Sequence, residues 1–298
     1  MKKENLGSTD MKVSQLGWGG VAISLEKSSF RDVEKLLNTA LDDGLNVIDT
    51  APCYSNSEEF IGRSVAHRRD EYYLMTKCGH AAGVDLLDWS PELVEYSIDR
   101  SLNLLKTDYI DVVSLHTCPE TILRHGDLIM LLQKIKDAGK VRYIGYSGDS
   151  NAAAYAVRCG HFDILQTSIN IADQEAIDLT IPTAVKKGIG VIAKRPIANI
   201  AWYYNEEPKD PYYHDYWRRF HQLDYGFLKG QLSDAVNIAL RFTISVPGVS
   251  TAIVGTSSCQ NWHQNKEFVE AGNLSREQFD GIRNIWKSIS KQSWPGRR

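Results

Sequence analysis

The sequence predicts an α/β fold of the closed (β/α)8 TIM-barrel type, one domain over residues 1–298, and three observations carry that expectation. Short apolar runs bounded by Gly, Asp or Asn alternate with longer amphipathic stretches along the chain. There are eight such runs, the number a parallel barrel needs to close on itself. The fingerprint of the rival, an open doubly wound sheet, is missing. Leu16-Gly17-Trp18-Gly19-Gly20 offers glycines, but neither the full GxGxxG spacing nor a helix directly after it.

In chain order the predicted strands are residues 16–20, 46–49, 72–76, 110–116, 142–146, 164–169, 190–193 and 251–254, each short and rich in β-branched or aromatic side chains. Helical patterns lie between them. Residues 30–43 put Val33, Leu36, Leu37, Ala40 and Leu41 on one face. Ser90-Pro91-Glu92 opens a helix with Ser as N-cap and Pro at the first position, continuing through Leu93, Ile98, Leu102 and Leu105. Residues 127–138 stop at Gly139, residues 176–187 stop at Gly188, and 233–242 form a later amphipathic segment.

One stretch breaks the rhythm. After the seventh strand, residues 199–230 carry Trp202, Tyr203, Tyr204, Tyr212, Tyr213, Tyr216, Trp217 and Tyr225 with Pro208 and Pro211. This is too long for an ordinary connection and too aromatic for a disordered linker. Two readings stand: a loop at the C-terminal mouth, where barrel enzymes bind ligands, or a helical excursion packed by its own aromatics.

Composition narrows the class. Apolar residues are 43% and charged residues 24%, with a formal net charge of −3 and both signs mixed along the chain. That predicts a globular protein with no nucleic-acid partner. No stretch reaches the ~18 apolar residues of a membrane span, and the N-terminus has no apolar run of signal-peptide type. The five cysteines are scattered without CxxC spacing, which predicts reduced thiols, a cytoplasmic location and no metal site. No segment marks an oligomer interface, so the assembly state stays open.

Candidate chemistry collects at strand ends. Asp49 ends strand two, Lys77 follows strand three, His116 ends strand four, and Tyr54 lies in the loop after Asp49. Singly, each has an ordinary explanation: a turn former, a solvated charge, a core histidine, a packed tyrosine. Together they converge, because all C-terminal strand ends of a barrel meet at one mouth. They suit carbonyl reduction. A hydride arriving at C=O leaves an alkoxide that needs a proton, which Tyr54 can give. Lys77 is expected to lower the tyrosine pKa from ~10. Asp49 would hold Lys77 charged, and His116 would polarise the carbonyl oxygen.

With Gly44-Leu45-Asn46-Val47-Ile48-Asp49-Thr50-Ala51-Pro52-Cys53-Tyr54, then Thr76-Lys77, then Asp108-Tyr109-Ile110-Asp111 leading to His116, the chain resembles the aldo-keto reductases over its length. The resemblance implies NADP(H) bound without a Rossmann fold, and hydride exchange between the nicotinamide and an aldehyde or ketone, or the corresponding alcohol. Gly19 joins the implied cofactor set after strand one. Ser147 matches the family serine that holds the carboxamide, although the usual Asn after it is Gly148. Gln166 matches the strand-six glutamine, and Asn170 stands near an expected Asn or His. Where the family reads Tyr-Ser-Pro-Leu, with the tyrosine stacked on the nicotinamide, this chain has Lys194-Arg195-Pro196-Ile197. Either basic stem could cover the ring, or both could be solvated charges. Gly255-Thr256-Ser257-Ser258 and then Asn265 resemble the pyrophosphate and adenosine segment. No basic residue matches the family's 2′-phosphate ligand, since Lys266 is only adjacent; NADP(H) therefore follows from the resemblance, and NAD(H) stays open. Trp18 and Trp202 are candidates for lining the substrate pocket, or for packing.

Two alternatives remain at this level: a nucleotide-binding regulatory protein of the same fold with little turnover, and aldol cleavage through a Lys77 Schiff base.

Overall fold

The structure is a computed structural model that describes residues 1–25, 28–290 and 294–296. Its centre is a closed parallel barrel of eight strands: β3 (Leu16–Gly19), β4 (Val47–Asp49), β5 (Tyr73–Cys78), β6 (Ile110–His116), β7 (Val141–Ser147), β8 (Ile164–Ser168), β9 (Gly190–Lys194) and β10 (Val249–Val254). Neighbours in sequence are neighbours in the sheet, and β10 closes on β3 by pairing Ala252 with Leu16. All eight predicted strands are present. The expected ends move by at most two residues, because several loop residues continue the ladder and others leave it.

The period of two sorts each strand between the barrel interior and the surrounding helices. On β5, Leu74 and Cys78 join the layer under the helices, whereas Met75 joins the interior. The helix Phe30–Asp42 buries the five predicted apolar residues and starts at Ser29, whose hydroxyl accepts from Asp32 N–H. Pro91–Leu105 starts likewise from Ser90, which accepts from Leu93 N–H. Asp127–Asp137 ends against Gly139 at φ +81°.

The single helix expected over 176–187 is two, Glu175–Leu179 and Ile181–Lys186, separated at Thr180. Pro182 explains the break: it has no N–H to donate, and its ring crowds the carbonyl four residues earlier.

The sequence reading did not foresee a hairpin at the other end. Strands β1 (Lys3–Asn5) and β2 (Lys12–Ser14) pair antiparallel. Leu6, Met11 and Val13 are fully buried against interior residues such as Val47, Met75 and Val112, so the hairpin plugs the N-terminal end of the barrel. Gly7 makes the close approach: its φ is +58°, and a β-carbon there would overlap the backbone of Gly188 and Gly190. Buried Asp111 anchors this end by accepting from Arg69 at 2.6 Å, Arg142 at 2.6 Å and the Leu74 N–H at 2.8 Å. Arg142 then reaches Asp10 of the hairpin loop at 2.8 Å.

The aromatic stretch after β9 realises both of its readings. Short 3-10 turns at Ala198–Tyr203 and Pro211–Tyr213 precede the helix His214–Leu223, whose Tyr216 and Phe220 are buried. Tyr212 and Tyr213 instead reach the mouth of the barrel.

Candidate active site

Because inward-facing positions alternate, the final inward residue of each strand lands on one rim. Asp49 of β4, Lys77 of β5, His116 of β6, Ser147 of β7, Gln166 of β8 and Lys194 of β9 all line one cavity of about 280 Å³. Gly19, Gly255, Tyr54 and Arg195 line it too, and Tyr212, Tyr213, Ile197, Ile200 and Leu25 supply its outer wall.

Lys77 is buried, and its ammonium donates to Asp49 Oδ1 at 2.8 Å, Asp49 Oδ2 at 2.7 Å and the Thr50 carbonyl at 2.8 Å. Burial by itself would lower the lysine pKa, but the Asp49 carboxylate outweighs it and the net shift is upward. The Nζ lies 5.1 Å from the centroid of the Tyr54 ring. The Tyr54 and His116 rings meet edge to face with centroids 6.1 Å apart. Among the described residues neither the Tyr54 hydroxyl nor His116 Nε2 has a hydrogen-bond partner, so both remain available to a ligand. Cys53 Sγ lies 3.7 Å from His116 Nδ1.

One electrostatic expectation is corrected. Burial pushes the Tyr54 phenol up to about 12, and the opposing field of Lys77 does not reverse it. Asp49 cancels much of that field, and the ammonium protons are spent on Asp49 and Thr50 rather than on the phenol. Tyr54 is therefore a neutral acid at pH 7. His116 is held well below the usual imidazole value, first by burial and then by the Lys77 and Lys194 charges, so it is neutral as well.

Lys194 and Arg195 are not solvated charges. Lys194 Nζ pairs with Asp149 Oδ2 at 2.9 Å, with side-chain exposures of 13% and 1%. Asp149 Oδ1 also accepts from Thr167 Oγ1 at 2.8 Å and Ser168 N–H at 2.7 Å. Arg195 sits at φ +54°, donates to Ser168 Oγ at 2.9 Å and stacks its guanidinium 5.8 Å from the Tyr212 centroid. Sequence reasoning missed Asp149. Lys194, directly after the seventh predicted strand at the barrel mouth, was the available signal, since a charge enclosed there requires a carboxylate nearby.

Several expected residues lie elsewhere. Trp18 is fully buried outside the cavity, and its indole N–H donates to the Thr256 carbonyl at 2.8 Å. Trp202 packs edge-on against Phe220, with centroids 5.2 Å apart. Thr256, Ser257 and Asn265 do not line the cavity; Thr256 Oγ1 accepts from Ser258 N–H at 3.1 Å, and Asn265 is buried on the helix Cys259–Glu270. Asn170 is spent on backbone, donating to the Arg195 carbonyl and accepting from Ala172 N–H. Lys266 is bound by Asp43 at 2.7 Å, a carboxylate that also accepts from Trp262 Nε1 at 3.0 Å. Gly148 has a local cause: a β-carbon there would collide with the buried Tyr146 ring, which is fixed by its hydroxyl donating to the Cys118 carbonyl at 3.0 Å.

Comparison with known proteins gives a consistent picture. The model of the Aldo/keto reductase family matches residues 15–287. An L-galactose dehydrogenase of Arabidopsis thaliana is 27% identical, over 97% of this chain and 96% of its own. An NADH-specific methylglyoxal reductase of Escherichia coli (strain K12) is 30% identical, over 66% of this chain and 68% of its own. The solved holo form of an aldo-keto reductase from Bacillus halodurans superposes with a TM-score of 0.82, covering 96% of each chain at 24% identity, a likeness in fold.

Proposed function

The chain belongs to the aldo/keto reductase family, and on that premise we propose that it is an NADP(H)-dependent oxidoreductase that reduces an aldehyde or ketone to the alcohol, or runs the reverse. The observation that carries this reading is the meeting of the buried Asp49–Lys77 pair, Tyr54 and His116 on one cavity, with Tyr54 and His116 open toward it. We take the chain to work as one barrel domain in the cytoplasm; the closed barrel and five free cysteines support that.

The residues fit a nicotinamide. Ser147 Oγ is buried at the cavity wall with no hydrogen-bond partner among the described residues, and Gln166 lines the same wall. An unpaired buried hydroxyl is costly, and a carboxamide would satisfy it. Lys194 and Arg195 bring cationic, partly apolar stems to the place of the absent aromatic, and Gly19 and Gly255 let the ligand approach backbone. When bound, the nicotinamide supplies or accepts the hydride.

The chain's own groups do the rest. His116, neutral, hydrogen-bonds the carbonyl oxygen and turns the carbon toward attack. Tyr54, still protonated, gives its proton to the alkoxide as it forms. Lys77 stabilises the phenolate left behind, and Asp49 fixes the lysine in place. Tyr212, Tyr213 and Ile200 narrow access for water. A Schiff-base role for Lys77 is disfavoured, because a raised pKa leaves no lone pair for attack.

NAD(H) stands as a second reading, since Lys266, the basic residue next to the adenosine segment, is already bound by Asp43. Fluorescence titration with NADPH and with NADH, followed by turnover on a generic aldehyde, tests both. Preference for NADPH with steady turnover supports the proposal. Equal or better NADH binding retracts the NADP(H) assignment, nucleotide binding without turnover favours a sensor, and binding of neither overturns the reductase.

A further inference from the structure

We propose that Cys53 is a positioning residue for His116: its S–H donates to Nδ1 and so holds the imidazole in the Nε2–H tautomer, the form that presents a donor to the carbonyl oxygen. The inference rests on the reductase reading for its consequence, and on geometry for its premise. Cys53 precedes Tyr54 in the turn where Tyr54 N–H bonds back to the Ala51 carbonyl at 3.0 Å. That turn brings the thiol to 3.7 Å from His116 Nδ1, within reach of a sulfur hydrogen bond.

A neutral imidazole carries one donor and one acceptor, and the partner of one nitrogen decides the state of the other. His116 is neutral here. Its neighbour His80 cannot choose the tautomer. The rings meet at 5.3 Å, edge to face, but His80 Nδ1 is taken by Asp88 and Nε2 by Thr117 Oγ1, each at 3.0 Å. Cys53 is therefore the polar partner given to a His116 nitrogen among the described residues, and Nε2 is left to the cavity. The direction of the bond follows from chemistry. Cys53 is exposed at the surface, yet desolvation around its sulfur, opposed by Lys77, raises rather than lowers the thiol pKa, so the sulfur keeps its proton. A thiol facing an imidazole lone pair matches its weak donor to a good acceptor. The reverse bond would spend the imidazole N–H on a poor acceptor and turn a bare lone pair toward the substrate, where it repels a carbonyl oxygen.

The test reads the tautomer directly, by long-range 1H–15N correlation on histidine-labelled full-length protein at pH 7.5, with the His116 signal assigned by its loss in His116→Gln. The expected wild-type pattern is protonated Nε2 and bare Nδ1. Cys53→Ser, which keeps a donor, retains it. Cys53→Ala and the apolar Cys53→Val, close to cysteine in size, shift it toward a mixture. Turnover follows: in both apolar variants kcat falls about three- to tenfold, as loss of one orienting hydrogen bond predicts, KM stays within about twofold, and Ser recovers most of the loss. A wild-type His116 protonated on Nδ1, or a tautomer unchanged in both apolar variants, overturns the proposal. Tautomer shifts in a protein that turns over no carbonyl would leave this assignment standing and remove the reductase reading instead.

Discussion

Replacing Asp49 with Asn removes the carboxylate that neutralises Lys77 and changes little else in shape. In the native protein the pair is buried, with side-chain exposures of 2% for Lys77 and 7% for Asp49. Breaking such a pair from one side costs about 3–5 kcal/mol, because the remaining charge has neither water nor a partner. An independent cap exists. At pH 7 the lysine can escape the penalty by releasing its proton, and from an unfolded pKa of ~10.4 at ~1.36 kcal/mol per unit that costs about 4.6 kcal/mol. A deficit of about 3 to 4.6 kcal/mol is therefore expected. With an unfolding entropy of about 2.1 cal/mol/K per residue over 298 residues, it lowers Tm by roughly 5–7 °C. The pH dependence is the sharper signature. In the wild type the folded pKa of Lys77 is raised, so the contribution is whole below ~10.4 and is lost only as pH climbs through the higher folded value. In the variant the folded pKa is depressed. Between it and ~10.4 the unfolded chain binds one more proton than the folded one, so the deficit shrinks by up to ~1.4 kcal/mol per pH unit. Denaturant unfolding of both proteins from pH 7 to 10 measures this. A deficit below 1 kcal/mol, or one that does not change with pH, refutes the account of the pair.

Tyr54→Phe should lose about 10²- to 10⁴-fold in kcat while nucleotide binding by fluorescence is unchanged; near-normal turnover removes Tyr54 as the acid. Because the phenol is pushed up to about 12, the chemical step of reduction should be flat from pH 7 to 10, whereas alcohol oxidation, which needs the phenolate, should climb about tenfold per unit; a plateau near pH 7 contradicts this. His116 is neutral when folded and ionises near ~6.5 when unfolded, so stability should decline as pH falls below ~6.5, and His116→Phe should flatten that limb of an unfolding profile. Gly148→Asn, which restores the family residue, should destabilise by about 1–3 kcal/mol through the collision with Tyr146, and gain no nucleotide affinity; a stable, tighter-binding variant would show that the Tyr146 ring can yield.

Much of the architecture was legible because the strands carry their own boundary chemistry and some helices carry a cap or a stop glycine. Residues 110–116 match the strand Ile110–His116 to the residue, and Ser90 announces its helix through the hydroxyl it offers to a bare N–H. The hairpin escaped notice because strands of three residues, Lys3–Asn5 and Lys12–Ser14, hold too few periods of alternation to rise above chance. The convergence of Asp49, Lys77 and His116 was legible for a geometric reason: parallel strands share a polarity, so strand ends are neighbours whatever their spacing in sequence. Environment was not. The rise of the Tyr54 pKa depends first on how deeply the phenol itself is enclosed, with Lys77 opposing and Asp49 adding to it, and the pairing of Lys194 with Asp149 depends on a register between β9 and the loop after β7. Trp18 and Trp202 were ambiguous from the outset, since an indole serves as readily to fill space as to meet a ligand, and only neighbours decide.

The plug of Leu6, Met11 and Val13 gives the barrel a floor, so among the described residues the cavity opens at the end away from the hairpin. On the proposed function, carbonyl, alcohol and the proton that recharges Tyr54 share the opening framed by Tyr212, Tyr213 and Ile200. On that reading the phenol is replenished through the space the product leaves, so anything that slows departure of the alcohol also delays rearming of the acid.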